Sequence, residues 1–157
     1  RKTSSVMKIT KIDANGIKLI TDWEGLKLKP YLCSANVPTI GYGSTRYENG
    51  NKVKLTDAPI TKERALELFK NTLHTYERDV DALARDDINQ NQFNALVSFA
   101  YNLGTTALRN STLLKKVNLN PNDKTIANEF VKWVKAGGRR VQGLVNRRNA
   151  EVVMYYK

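Results

Sequence analysis

The sequence predicts an α+β fold: a small N-terminal antiparallel sheet, then a helical bundle, joined by one long helix. Three observations carry this. Apolar residues recur at three-to-four spacing through most of the chain after residue 60, whereas residues 28–55 break into short extended candidates punctuated by Pro and Gly. No internal repeat or linker-like stretch interrupts the order. The 157 residues fit one domain, with a basic tail at 1–12, a helix and sheet over 13–60, a connecting helix over 61–87 and a helical lobe over 88–157.

Each element has a local cause. Asp13 is placed to cap a helix ending near Gly25, with Ile12 as its outside hydrophobic neighbour and Ile17, Ile20 and Trp23 or Glu24 on one face. Glu24 then stands at the helix C-terminus, where the macrodipole mildly disfavours an anion. Leu28–Leu32 and Val37–Gly41 read as strands around Cys33–Asn36, with Pro30 and Pro38 suited to edge positions. The Glu48–Asn51 turn leads to an expected third strand at Lys52–Leu55. From Thr61, a cap, the stripe Leu66, Phe69, Leu73, Tyr76, Val80 and Leu83 predicts a helix of about 22 residues, roughly 33 Å long. Asn89-Gln-Asn-Gln92 reads as a capping box for a helix through Leu103 that Gly104 ends, and Ser111 caps Leu113–Val117. A further helix is expected from Pro121-Asn-Asp123 through Ile126, Phe130, Trp133 and Val134 to a stop at Gly137-Gly138. The last helix runs from about Leu144 to Tyr156.

Composition excludes several classes. Hydrophobic residues make up 41% with only 9 Gly and 4 Pro, which argues against disorder and collagen-like repeats. No apolar run approaches the ~18–20 residues of a membrane span. The start at Arg1-Lys2-Thr3 has no apolar stretch behind it, so no signal peptide is expected; either something upstream was removed or Met7 is the native start. One cysteine excludes an internal disulfide framework, and a lone His74 offers no metal cluster, so neither metal nor cofactor is expected. The net charge is +11, and it is uneven: residues 101–157 carry 11 basic and 3 acidic groups. Such a surface favours an anionic polymer, whether nucleic acid, anionic lipid or acidic wall glycan, or serves only solubility.

Chemistry is found by elimination. Cys33 has no protease-like frame and His74 lies off the apolar stripe; no GxGxxG or Walker-type loop is present. What remains is Glu24, with Cys33 nine positions on and Thr39 six beyond that. Spacing alone favours the plainer reading: an exposed Glu, a buried Cys and a strand Thr.

The run Trp23-Glu-Gly-Leu-Lys-Leu-Lys-Pro-Tyr31, then Cys33 and Pro38-Thr-Ile-Gly-Tyr-Gly43, closely resembles the active-site region of phage-type lysozymes, the endolysins of glycoside hydrolase family twenty-four. Their pattern is Glu, eight residues, Asp or Cys, five residues, Thr, and this chain matches it without a gap. The resemblance continues at Phe99–Gly104, Asn110-Ser111, Trp133–Gly138, Gly143–Arg148 and Glu151, and so covers roughly residues 13–156. It implies a lysozyme-like fold with an active-site cleft between lobes. It also implies a muramidase that hydrolyses the β-1,4 bond between N-acetylmuramic acid and N-acetylglucosamine, and so lyses the host cell. Glu24 would be the general acid, while Cys33 and Thr39 hold the attacking water or stabilise the oxocarbenium charge. Gly43, Tyr101 and Asn102 would contact glycan, and Arg147, or else Arg148, would pair with Glu24, the alternative being a solvated helix face.

Two positions depart from the commonest pattern. Ser44 stands where many relatives have His, which removes any ion pair that His would make. Cys33 replaces Asp; in some cysteine-bearing members this thiol is locked in a disulfide to an N-terminal anchor, which here would require a partner upstream of residue 1. The implied partner is the peptidoglycan glycan strand, met as a monomer, with no nucleic acid and no stable membrane span in this chain. The implied place is the host cytoplasm until release to the wall or export by an upstream segment, with a virion-borne role as the lesser option. Two rival functions remain at this point: a lytic transglycosylase cutting the same bond, and a catalytically dead basic binding module. If the basic surface attracts the envelope, lysis slows as ionic strength rises; a salt-insensitive rate would reduce the charge to a solubility device.

Overall fold

The computed structural model describes residues 8–157. The charged start and Met7 lie outside the described residues. In chain order the elements are α1 (Ala14–Glu24), β1 (Lys27–Leu32), β2 (Pro38–Gly41), α2 (Lys62–Leu83), α3 (Gln90–Leu103), α4 (Thr105–Arg109), α5 (Thr112–Leu119), α6 (Ile126–Phe130), β3 (Lys135–Ala136), β4 (Arg139–Arg140) and α7 (Gln142–Tyr155). They divide into two compact units. One is Ile20–Thr75; the other runs up to Leu19 and resumes at Tyr76. Among the described residues no helix is long and apolar enough to cross a membrane.

The expected caps form. Asp13 Oδ1 accepts the Gly16 amide at 3.1 Å and Thr61 Oγ1 the Arg64 amide at 3.0 Å. Asn89 and Gln92 exchange both bonds of the capping box, and Ser111 accepts from the Leu114 amide. Gly25, with φ +71°, ends α1 in a conformation that an L side chain rarely adopts.

In the Ile20–Thr75 unit, β1 and β2 form a two-stranded antiparallel ribbon with Tyr31 opposite Thr39 and Leu32 opposite Pro38. The register is irregular between Lys27 and Tyr31. That interval contains Pro30, which has no amide to give the ladder. The third strand expected at 52–55 does not form. Its segment makes one isolated bridge, Arg46 to Lys52, and a bond from the Val53 amide to the Thr45 carbonyl. Lys52 and Lys54 stay exposed and only Val53 is buried, so one apolar contact replaces a strand face. Ile40, Val53 and Leu68 form the small core, with Tyr47 and Ile60 packed against it. Along α2 the buried face is turned by about one position from the expected stripe. Ala65, Leu68, Phe69, Leu73 and Val80 are buried, whereas Leu66, Tyr76 and Leu83 are half-exposed. Ala65 lies where a Cβ on Gly41 would come within 3.3 Å, so a small residue is required there.

The other unit is built around α3, which is buried along nearly its whole length, polar Asn94 and Ser98 included. A helix buried on all sides needs partners for its polar groups. Asn94 Nδ2 finds Asp13 at 2.8 Å, and the close approach of Asn94 leaves no room for a Cβ on Gly16. Phe99 meets Phe130 and Trp133 edge-on at centroid distances of 5.9 and 5.5 Å. Trp133 and Val134 are not helical as expected, because α6 stops at Phe130. Gly137 and Gly138 do not stop a helix either. With φ of +58° and +78° they form the two-residue turn joining β3 to β4, a conformation suited to the twist of a hairpin.

Burial of ionic groups is costly, and this unit buries three on one helix. Arg147, Arg148 and Glu151 on α7 are 4%, 0% and 0% exposed, so the solvated-face reading of the arginine doublet is overturned. Glu151 lies 2.7 Å from Arg148 Nε and 3.5 Å from Arg147 Nε, and accepts the Ser98 hydroxyl at 2.6 Å. Burial pushes the Glu151 carboxyl up, opposed by the two guanidiniums. The same burial pulls Arg148 down, opposed by Glu151. Removing this anion would take the carboxylate from the fully buried Arg148 and one partner from Arg147. Glu151→Gln is therefore expected to cost about 3–5 kcal/mol in denaturant unfolding, against about 0.5 kcal/mol or less for the exposed Val153→Ala on the same helix. Equal unfolding midpoints would contradict this assignment.

Candidate active site

Three of the residues singled out in the sequence, Glu24, Cys33 and Thr39, fall in the Ile20–Thr75 unit. Glu24 is the last residue of α1 and half-buried. Cys33 follows β1 directly and opens the turn to β2. Its amide donates to the Val37 carbonyl at 3.1 Å and its carbonyl accepts from Asn36 at 2.9 Å. Asn36 carries the tight reversal, at φ +61°. Cys33 is thus in the hairpin turn rather than on a strand, one ladder step beyond Leu32–Pro38.

That register decides which side chains meet. Residues two apart on a strand share a face, as do cross-strand partners. Tyr31, Cys33 and Thr39 therefore share one face of the ribbon. Thr39 is 2% exposed, and its hydroxyl donates to the Val37 carbonyl at 2.8 Å. The Thr39 side chain also stands near enough to act on the Cys33 sulfur. The backbone at Val37, then that at Ala35, then the Thr39 side chain favour the anionic sulfur and hold the Cys33 thiol below the usual thiol value. Cys33 is a free thiol.

Tyr31 is a member of this constellation that spacing did not single out. Desolvation first, then the charges of Glu24 and Cys33, push its phenol up, so it stays a neutral hydrogen-bond donor. The signal was available: Tyr31 precedes Cys33 by two, the strand repeat. The Gly41-Tyr-Gly43 turn is closed by reciprocal bonds between Ile40 and Ser44, both at 2.9 Å. Gly43 sits in it at φ +91°, half-buried. Ser44 is fully buried and shares a hydrogen bond with Thr72 of α2 at 3.2 Å, so it braces this turn.

Tyr101, Asn102, Arg147 and Arg148 belong to the other unit. Tyr101 and Asn102 lie in the last turn of α3 and are half-buried; Tyr101 packs on Tyr76 at a centroid distance of 5.1 Å. Asn102 Oδ1 accepts from Arg148 Nη2 at 2.7 Å, and Arg148 also lies 5.2 Å from the centre of the Phe99 ring. Among the described residues no group of three or more His, Cys, Asp or Glu is placed to hold a metal ion.

A family model described as phage lysozyme matches residues 21–151. Over 146 residues the chain is 41% identical to an endolysin of Bacillus phage B103, an alignment that covers 92% of this chain and 53% of that one. The chain thus spans about half the length of that relative. It is 38% identical over 144 residues to an endolysin of Salmonella phage P22, covering 92% of this chain and 97% of the relative. Among solved structures, an endolysin from Escherichia coli O157:H7 phage FAHEc1 superposes with a TM-score of 0.83 at 35% identity, over 92% of both chains.

The lowered thiol of Cys33 has a direct readout. Its alkylation rate is expected to rise with pH through a midpoint below that of a free cysteine, about 8.5. Thr39→Ala should move that midpoint up by removing one donor. A midpoint at or above the free value, unmoved by the substitution, would contradict the hydrogen bonds assigned here.

Proposed function

The chain belongs to the phage lysozyme family, and we propose that it hydrolyses the β-1,4 bond between N-acetylmuramic acid and N-acetylglucosamine in bacterial peptidoglycan, as a wall-opening endolysin. The observation that carries this reading is the Glu24, Cys33 and Thr39 set in one compact unit, with Cys33 and Thr39 on one face of the β1–β2 ribbon.

Glycosidic cleavage needs a proton on the leaving oxygen and a nucleophile at the opposite face of the sugar. Glu24 gives its carboxyl proton to the glycosidic oxygen as the bond to the anomeric carbon breaks. Cys33 and Thr39 hold a water, which attacks that carbon and passes a proton to the Cys33 thiolate. Water is thereby added across the bond, and solvent exchange returns the protons to their starting groups. An anionic sulfur is what this role requires, and the donors around Cys33 favour it. Tyr31 supplies a neutral donor beside the pair. Tyr101 and Asn102 bind glycan, and the Gly43 turn lets backbone approach the sugar closely.

The protein acts as a monomer on peptidoglycan and does not need nucleic acid. It acts at the wall after leaving the host cytoplasm.

Glu24→Gln keeps shape and removes the proton. Clearing of a cell-wall suspension should fall by about 10²–10⁴-fold, with an unchanged fold by circular dichroism. Cys33→Asp should retain activity because Asp also occurs at this position in the family, whereas Cys33→Ala should lose much of it. A folded Glu24→Gln variant that clears walls at the parental rate would sink the reading. An unimpaired Cys33→Ala variant would remove the thiol from the mechanism.

A further inference from the structure

From Phe130 to Ala150 the chain has six Lys or Arg and no Asp or Glu. Three of those cations are accounted for: Arg147 and Arg148 flank Glu151, and Lys132 bonds Glu129 at 3.0 Å. The other three are on the β3–β4 hairpin, Lys135 and Arg140 on one face and Arg139 on the other. All six residues from Lys135 to Arg140 are exposed. None of the three cations makes an ion pair among the described residues; Arg140 has only a long contact, 3.5 Å, with Gln142 Oε1.

The register makes this arrangement unfavourable by itself. Lys135 stands directly opposite Arg140, and Ala136 opposite Arg139. Cross-strand partners point to the same side with Cβ atoms about 5 Å apart, where like charges destabilise the pair. The hairpin is nonetheless rigidly founded. The Val141 amide closes its base on the Val134 carbonyl at 2.8 Å, the Gly137–Gly138 turn fixes its tip, and Trp133 anchors it edge-on to Phe99. A support that shows uncompensated cations on both faces of a ribbon suits a flexible external polyanion that can follow them.

We propose that the β3–β4 hairpin is a docking surface for the phosphodiester polymers of the bacterial wall, through Lys135, Arg139 and Arg140. The proposal rests on the wall-cleaving function argued above. The planar guanidinium fork of the two arginines matches phosphate oxygens in pairs. The residues at the turn, Ala136-Gly-Gly138, present no large apolar side chain to enter a lipid interior, and no aromatic residue between 135 and 140 could stack on a base. Charge complementarity to a flexible phosphate chain is what the tip offers. Docking there keeps the enzyme on the wall between cleavage events.

The test compares the full chain with Lys135→Gln/Arg139→Gln/Arg140→Gln, both in the Glu24→Gln background so that the wall stays intact. Co-sedimentation is measured on walls that retain their phosphodiester polymers, on acid-stripped walls and on phosphatidylglycerol vesicles. The triple variant should bind polymer-bearing walls at least about tenfold more weakly and with a flatter salt dependence. Binding to stripped walls should be unchanged, and Lys135→Arg/Arg139→Lys/Arg140→Lys, which keeps the charge but loses both native forks, should bind polymer-bearing walls more tightly than the triple Gln variant and more weakly than the parent. No loss on either wall preparation overturns the proposal. So does an equal loss on both, which would assign the hairpin to carboxylates of the peptidoglycan itself. A loss on vesicles alone also overturns it, in favour of a membrane surface. Turnover of stripped walls by the chain with Glu24 intact is read separately. Its absence would refute the glycosidase reading whatever the hairpin binds.

Discussion

Tyr31 lies opposite Thr39, and the Cys33 amide closes the next step of the ladder on the Val37 carbonyl. The chemistry assigned to the Ile20–Thr75 unit depends on this register. In a ribbon with a side-chain period of two, slipping one strand by a single residue would turn its side chains to the other face. Thr39 would then leave Cys33, and the thiol would lose one of the donors that favour its anion. The register is held from several directions. Asn36 takes a left-handed turn, Pro38 starts β2, and the Gly41–Gly43 turn reverses the chain against Ala65 of α2. Ser44, buried on Thr72, ties the end of that turn to the same helix.

The second unit solves a different problem. Its central helix is buried nearly all round, and two arginines of α7 are buried with one carboxylate. Such a cluster is weak evidence of net stability, because desolvation offsets much of the attraction. Its structural consequence is orientation. Glu151 takes the Ser98 hydroxyl of α3, while Arg148 takes Asn102 and lies against Phe99 of the same helix. Those bonds fix the rotation of α7 about its axis and hold Asn102 at the end of α3, where its side chain is half-buried.

Much of this was legible in the sequence where the cause is local. The caps at Asp13, Thr61, Asn89 and Ser111 depend on hydrogen bonds within a few residues and formed as expected. Most of the failures involve packing or pairing beyond the local run. Trp133 and Val134 continue the helical spacing of Ile126 and Phe130, yet Trp133 packs on Phe99, more than 30 positions away, and the chain leaves the helix. Gly137-Gly138 is compatible with a helix stop or a hairpin turn, and only the pairing across it decides. For the Arg147-Arg148 doublet a solvated helix face stays open as the alternative, and only Glu151 and Ser98 around it exclude that. At the site, the motif gave the positions of Glu24, Cys33 and Thr39, but that Thr39 reaches Cys33, and that Tyr31 joins them, follows from register rather than spacing.

The proposed hydrolysis requires that the water held by Cys33 and Thr39, and not an internal hydroxyl of the sugar, complete the reaction. Mass spectrometry of muropeptides released in heavy-oxygen water tests this most directly. The account predicts that each new reducing end carries one solvent oxygen. Products lighter by one water, in the anhydro form and free of label, would contradict it and make the enzyme a transglycosylase.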